Sequence, residues 1–166
     1  MIIIGIDPGT ATTGYGVVEK KGSVLKHITH GAITTPKEDV IEERLHTIYN
    51  RLNALLDEYE PEVLALEKLF FGNNVTTALT VGRSVGVIML AAVQRQIPCF
   101  EYRPVEVKLA VTGYGGAEKR QIQIMVKQLL GLPQIPKPDD AADALAIAIC
   151  HAHSAHLTAL NRSLKR

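Results

Sequence analysis

The sequence has no tryptophan, three phenylalanines and two cysteines among its 166 residues. Cys99 and Cys150 both lie inside apolar stretches. They read as small buried hydrophobes of a protein in a reducing, cytoplasmic compartment. A long hydrophobic run is also missing. The isoleucine-rich start, MIIIGIDPG, breaks at Gly5 and Asp7, too early for a membrane span, and it lacks the basic flank of a signal peptide. A strong charge of either sign is absent too, since the net charge is +1. Taken whole, that value argues against a nucleic-acid binder. Its distribution says more: residues 1–94 carry 8 Lys and Arg against 11 Asp and Glu, while residues 95–166 carry 10 against 6. The second half is mildly basic, which permits a polarised surface.

What is present suffices for one compact domain with a real core, because 46% of the residues are hydrophobic. No internal repeat, low-complexity tract or linker interrupts it. The whole of 1–166 is therefore expected to be one domain, with about 158–166 a basic tail whose mobility the sequence leaves open.

Residues 2–7, IIIGID, form a continuous apolar run suited to a strand covered on both faces. GYGVVEK and SVLKHITHGAITT, separated by Lys21-Gly22, read as a hairpin. Apolar residues at three- and four-residue spacing predict an amphipathic helix over 39–59. EVLALE (62–67) reads as a short buried strand and PCFEY (98–102) as another. Helices are expected at 74–96, 104–111, 117–131 and 139–157. The order β-β-β-α-β-α-β-α-α-α implies an α/β domain with a mixed sheet.

The stretch PDDAADALAIAIC, 138–150, is the most informative. It places Asp139, Asp140 and Asp143 at the entrance of an otherwise apolar helix. Asp140 and Asp143 are three apart and so separated by about 60° around the axis, which points both the same way. An acid at a helix start caps it and complements its dipole. That accounts for one of the acids, Asp139 or Asp140, but not for Asp143, flanked by Ala142 and Ala144. Two further acids end apolar strands: Asp7 ends IIIGID and Glu67 ends VLALE. With the 39–59 helix as crossover, those strands can lie parallel and adjacent. Both carboxylates then reach one sheet edge, where α/β proteins place their sites.

Four such carboxylates in one pocket repel and raise one another's pKa. No Lys or Arg stands near Asp7, Asp140 or Asp143 in sequence to neutralise them. Divalent cations are the natural remedy, and oxygen-only ligands suit Mg²⁺ or Mn²⁺ better than Zn²⁺. A pair of such ions can clamp the attacking and leaving oxygens of a phosphoryl displacement.

The blocks IIGIDPGTATTGYGVV, LALEKLFFGNN, FEYRPVEVK, GYGGAEKRQIQIMV and DDAADALAIAICHAH together resemble the RuvC family of Holliday-junction resolvases, collinearly from about 2 to 156. The resemblance implies a ribonuclease H-like fold, a five-stranded mixed sheet flanked by helices. It makes Asp7, Glu67, Asp140 and Asp143 the catalytic and metal-binding acids. Some relatives carry His at the position of Asp140. The implied activity is paired, symmetric, Mg²⁺-dependent nicking of a four-way DNA junction in recombination and repair, leaving 5′-phosphate and 3′-hydroxyl ends. The implied mechanism is in-line attack of water on the phosphate, with two divalent ions stabilising the pentacovalent state. The implied partners are junction DNA, a second copy of the chain and a branch-migration motor, with no membrane.

Around the acids, Phe70 and Phe71 are adjacent rings that point opposite ways in extended chain. One closes over the core; by resemblance Phe70 is the ring that stacks on DNA bases. GYGGAEKRQ sets glycines before a helix bearing Lys119 and Arg120. Solvated charge explains that pattern as well as phosphate binding does. The resemblance favours Lys119 and Lys108 as DNA-backbone contacts, with Arg120 and the tail residues Arg162, Lys165 and Arg166 behind them. His151, His153 and His156 read as polar residues at the exposed end of the last helix, since His151 and His153 diverge by about 160°. Gly82 and Gly86 allow close helix approach, either to the protein's own sheet or to a second copy.

Rival readings remain at this level. DPGTATTG also resembles the phosphate turn of actin-like and sugar-kinase ATPases, which need a second lobe. A ribonuclease H-like nuclease acting on structured RNA precursors is a closer rival. A non-catalytic junction-binding module would be expected to lack part of the acidic set.

Overall fold

The isoleucine run becomes β1 (Ile2–Asp7), the central strand of a sheet in a computed structural model that describes residues 1–68 and 75–163, with side chains at all of these except 75–77 and 155–163. β1 pairs antiparallel with β2 (Thr12–Lys21), Asp7 opposite Gly14, and parallel with β4 (Val63–Glu67), Ile6 beside Leu66. β3 (Val24–Thr34) lies antiparallel on the far side of β2, and β5 (Cys99–Tyr102) parallel on the far side of β4. The order is β3-β2-β1-β4-β5. This is the mixed five-stranded α/β sheet that the sequence implied.

Side chains of a strand alternate between faces. Ile4 and Ile6 of β1, with Leu64 and Leu66 of β4, face α1 (Ile41–Tyr59) and α2 (Val75–Gln94), where Ile48, Leu52 and Ile88 complete one core layer. Ile3 and Ala65 face the opposite layer, built by α3 (Pro104–Thr112), α4 (Lys119–Leu129) and α5 (Asp139–Ser163). Ile3, Ile4, Ile6, Leu64 and Leu66 have no exposed surface. Full burial of each stabilises by about 1.5–3 kcal/mol. A one-residue slip would turn every one of them to the wrong layer. That register fixes the faces of the strand-end acids too: Asp7 follows Ile3 and Gly5, and Glu67 follows Val63 and Ala65, so both belong to the α5 face.

α5 lies unusually close to the sheet. A Cβ placed on Gly5 would fall 2.1 Å from the Ala144 carbonyl oxygen, and one on Gly14 would fall 2.1 Å from that of Asp140. Glycine is the residue that lets helix backbone rest on strand backbone. α5 starts immediately after Pro138, whose carbonyl accepts from the Ala141 and Ala142 N–H groups.

Three expectations need correction. The last helix runs on to Ser163, past the expected end at 157, so the first part of the expected tail is helical. His151 is not at an exposed end: it is 2% exposed, and its Nδ1 lies 2.7 Å from the Tyr102 hydroxyl, which ties α5 to β5. A polar group inside this layer is tolerable because it has that partner. His153 is exposed, 3.1 Å from the Ala110 carbonyl; His156 lies outside the described side chains. Gly86 of α2 is exposed and a Cβ there would meet nothing within 4 Å, so it serves no close contact inside this chain. Cys150 is buried and Cys99 half-buried, and burial pushes the Cys150 thiol up to about 11.

Candidate active site

Parallel pairing of β1 and β4 brings Asp7 and Glu67 side by side at one sheet edge. The first turn and a half of α5 crosses that edge, anchored on Gly14, and supplies Asp140 and Asp143. The electrostatics record the convergence. Asp7 is pushed up to about 7, first by burial and then by the charges of Glu67, Asp143 and Asp140. Burial and the charge of Asp143 raise Glu67. Burial raises Asp143 as well, against the opposing pull of Lys119. The four acids lie near enough to feel one another's charge.

The neighbouring acid, Asp139, turns aside. Its Oδ1 accepts from the Gln123 side chain at 3.1 Å, fastening the first turn of α5 to α4, where an acid also complements the helix dipole.

A cation that sequence proximity does not reveal stands among these acids. Lys119 Nζ lies 3.1 Å from Asp143 and 3.4 Å from Asp139. Burial pulls the lysine down, but hydrogen bonds and charge from Asp143 and Asp139 outweigh it and hold the amine above its ordinary value. Lys119 opens α4, whose start is held by the Gln121 side chain accepting from the Glu118 N–H at 2.8 Å. Lys108, on α3, is half-buried and lines with Glu67, Lys119 and Asp143 a depression of about 200 Å³ floored by Val107 and Ile147. Arg120 is exposed on α4 and is not part of that lining. Phe70 and Phe71 lie outside the described residues. So the structure gathers Asp7, Glu67, Asp140, Asp143, Lys108 and Lys119 and leaves Arg120 aside. It also adds a residue that sequence reasoning missed: Arg44 of α1, across a second depression next to Asp140. One basic residue in an amphipathic helix carries no distinguishing signal in sequence.

The donor set suits a hard divalent cation in kind. It is made of carboxylate oxygens, three of them on groups whose pKa is raised, first by burial and then by neighbouring acid charge. Among the described residues, no three His, Cys, Asp or Glu side chains are grouped closely enough to hold a metal ion as they stand. Lys119 occupies part of the role that such an ion would take.

A family model described as "Crossover junction endodeoxyribonuclease RuvC" matches residues 3–151. The chain belongs to the RuvC family. The RuvC of Chloroflexus aggregans is 57% identical over 155 residues, 93% of this chain and 94% of that protein. The RuvC of Syntrophomonas wolfei is 52% identical over 163 residues, 98% of this chain and 95% of that one. Both are crossover junction endodeoxyribonucleases by name. Among solved structures, Thermus thermophilus RuvC in complex with Holliday junction substrate superposes with a TM-score of 0.91 at 36% identity, covering 95% of this chain and 96% of that one. The fold is thus that of RuvC, the ribonuclease H-like α/β architecture expected from the motifs, and this member of the family is a nuclease.

Proposed function

We propose that Asp7, Glu67, Asp140 and Asp143 form the catalytic centre with which this RuvC-family chain nicks four-way DNA junctions. The observation that carries the reading is the placement of two strand-end acids beside two acids of one helix, at the open edge of the sheet. A divalent cation, Mg²⁺ with Mn²⁺ as a substitute and two ions per site, would be held by these four acids. When bound it supplies charge stabilisation at the scissile phosphate. The chain's own groups do the rest. Asp7, buried and raised by its acidic neighbours, would be the carboxylate most favoured by a bound cation in its ionised form. Lys119 would offer a point charge to a DNA phosphate, and Lys108 a second one on the same side. Val107 and Ile147 beside them keep part of the site dry, which strengthens every charge interaction in it. Arg120 would take a phosphate farther out, and Phe70 would stack on a base.

Paired symmetric cuts need two sites related by a two-fold axis, so the active species is a homodimer. It works on junctions during recombination and repair, in the cytoplasm, with a branch-migration motor as further partner. Among the described residues no helix is long and apolar enough to cross a membrane.

The deciding experiment offers the wild-type chain a synthetic four-way junction, a linear duplex and a structured RNA, with and without Mg²⁺. The expected result is Mg²⁺-dependent symmetric nicking of the junction alone, with 5′-phosphate ends. Preferred cleavage of the RNA would favour the RNA-processing rival; tight junction binding without cleavage would favour the non-catalytic one. Asp7→Asn should abolish nicking while largely retaining junction binding. That binding should weaken steeply with salt, as phosphate contacts require. A variant that still cuts near the wild-type rate removes Asp7 from the centre, and a salt-insensitive complex removes Lys108 and Lys119 from the interface.

A further inference from the structure

A second depression, of about 460 Å³, opens on the Asp140 side of the acid cluster, opposite the one that Lys108 and Lys119 line. Its volume falls within the range of small-ligand clefts. Its polar wall comes from the Gly9–Thr12 turn between β1 and β2, from Thr80 of α2 and from Arg44 of α1. Arg44 is the one cation in that lining. The geometry around it is built rather than incidental. Its Nε donates to the Thr35 hydroxyl at 2.8 Å, and that hydroxyl donates to the Thr10 carbonyl at 2.6 Å. The Thr10 hydroxyl in turn reaches the Thr80 carbonyl and the Ser84 hydroxyl, both at 3.1 Å. A chain of hydroxyls therefore locks the guanidinium and the turn to α2.

One edge of the guanidinium is used in this way. Among the described residues no carboxylate lies within ion-pairing distance of Arg44, whereas Arg95 is paired with Asp57 and Arg103 with Glu106. A half-buried, orientationally fixed guanidinium with no carboxylate partner, facing a hydroxyl-lined hollow, suits one chemical class above others: a phosphodiester oxygen pair.

We infer that Arg44, with the Thr10–Thr12 turn, binds a DNA backbone phosphate flanking the scissile one. The inference rests on the junction-nuclease reading and adds the path of the strand. The acids sit between two cation-bearing depressions, so the cut strand runs across them. One neighbouring phosphate meets Lys108 and Lys119, and the other meets Arg44. The Arg44 contact positions the strand and takes no part in the chemistry itself.

The test measures equilibrium binding of a synthetic four-way junction by the full chain without Mg²⁺, across a salt series, for wild type, Arg44→Ala and Arg44→Lys. Arg44→Ala should weaken binding on the order of tenfold and flatten the salt dependence by about one released counterion. Arg44→Lys should keep the slope while losing part of the affinity, because lysine cannot hold Thr35 and a phosphate together. Single neutral methylphosphonate linkages are then placed on either side of the cut. Wild type should be weakened by one on each side, whereas Arg44→Ala should be indifferent to the one on its own side. Thermal melting checks folding, and Arg44→Gln, which keeps a donor for Thr35, replaces Arg44→Ala should the latter melt early. An unchanged slope in the neutral variants, or equal sensitivity to both linkages, overturns the Arg44 assignment while leaving a wild type that still cuts junctions. A wild type that neither prefers nor cuts junctions fails at the earlier step and takes both readings with it.

Discussion

Asp7 stores a cost in the metal-free protein, and the sign of that cost can be worked out. Its folded pKa is about 7 against an ordinary 3.8, so between those values the folded state holds a proton that the unfolded chain has released. Stability therefore falls as pH rises from about 4 to 7 and stays low above that. Roughly three pKa units at about 1.4 kcal/mol each set an upper limit near 4 kcal/mol. Glu67 and Asp143 are raised too, and act in the same direction. Asp7→Asn removes the largest of these costs. In chelator it should unfold at higher urea than wild type at pH 8, with the gap closing toward pH 4. Parallel stability profiles for the two proteins would mean that Asp7 is not buried among like charges. Added Mg²⁺ should stabilise wild type at pH 8 more than the variant, since the ion favours the ionised carboxylate.

At the scale of elements, the site depends on how closely α5 lies on β1 and β2. Gly14 sits under the Asp140 carbonyl, where a methyl group would fall 2.1 Å from the oxygen. Gly14→Ala should therefore lift the start of α5, cost about 1–3 kcal/mol in urea unfolding and lower the nicking rate by misplacing Asp140 and Asp143. A variant with wild-type stability and rate would show that the helix can shift freely without harm to the site. Much of this layer was legible in sequence. Continuous apolar strands, three- and four-residue helical spacing and the odd position of Asp143 are local signals, and they gave element order and the four acids together. The ion pair from Lys119 to Asp143 was not legible, because it depends on how α4 docks against α5. His151 misled for a related reason: its partner, Tyr102, lies 49 residues away on β5, and a polar residue near a helix end ordinarily faces water. Arg44 escaped notice because its meaning comes from Thr35 and the Thr10 turn, which only the folded chain brings to it.

For the whole molecule, the outer face of α2 is the feature that the chain alone does not explain. Leu79, Leu90 and Val93 are 57%, 50% and 64% exposed, and with Gly86 they fall on one stripe of the helix within about 60°. The opposite side of α2 is already used, with Val85, Ile88, Ala91 and Ala92 buried against the sheet and α1. A second copy packed along the stripe would cover it, with Gly86 admitting the partner helix closely, and would set two acid clusters about a two-fold axis as paired cuts require. Leu90→Glu places a charge in the middle of that stripe without touching the core. Wild type should sediment as a dimer and the variant as a monomer. On a plasmid carrying an extruded cruciform, wild type cuts both strands and gives linear product. The monomer should make single, uncoupled nicks and leave mainly open circles. Retention of dimers and of linear product by Leu90→Glu would move the subunit contact off α2, because a buried, unpaired glutamate in an interface of ordinary size would not be tolerated.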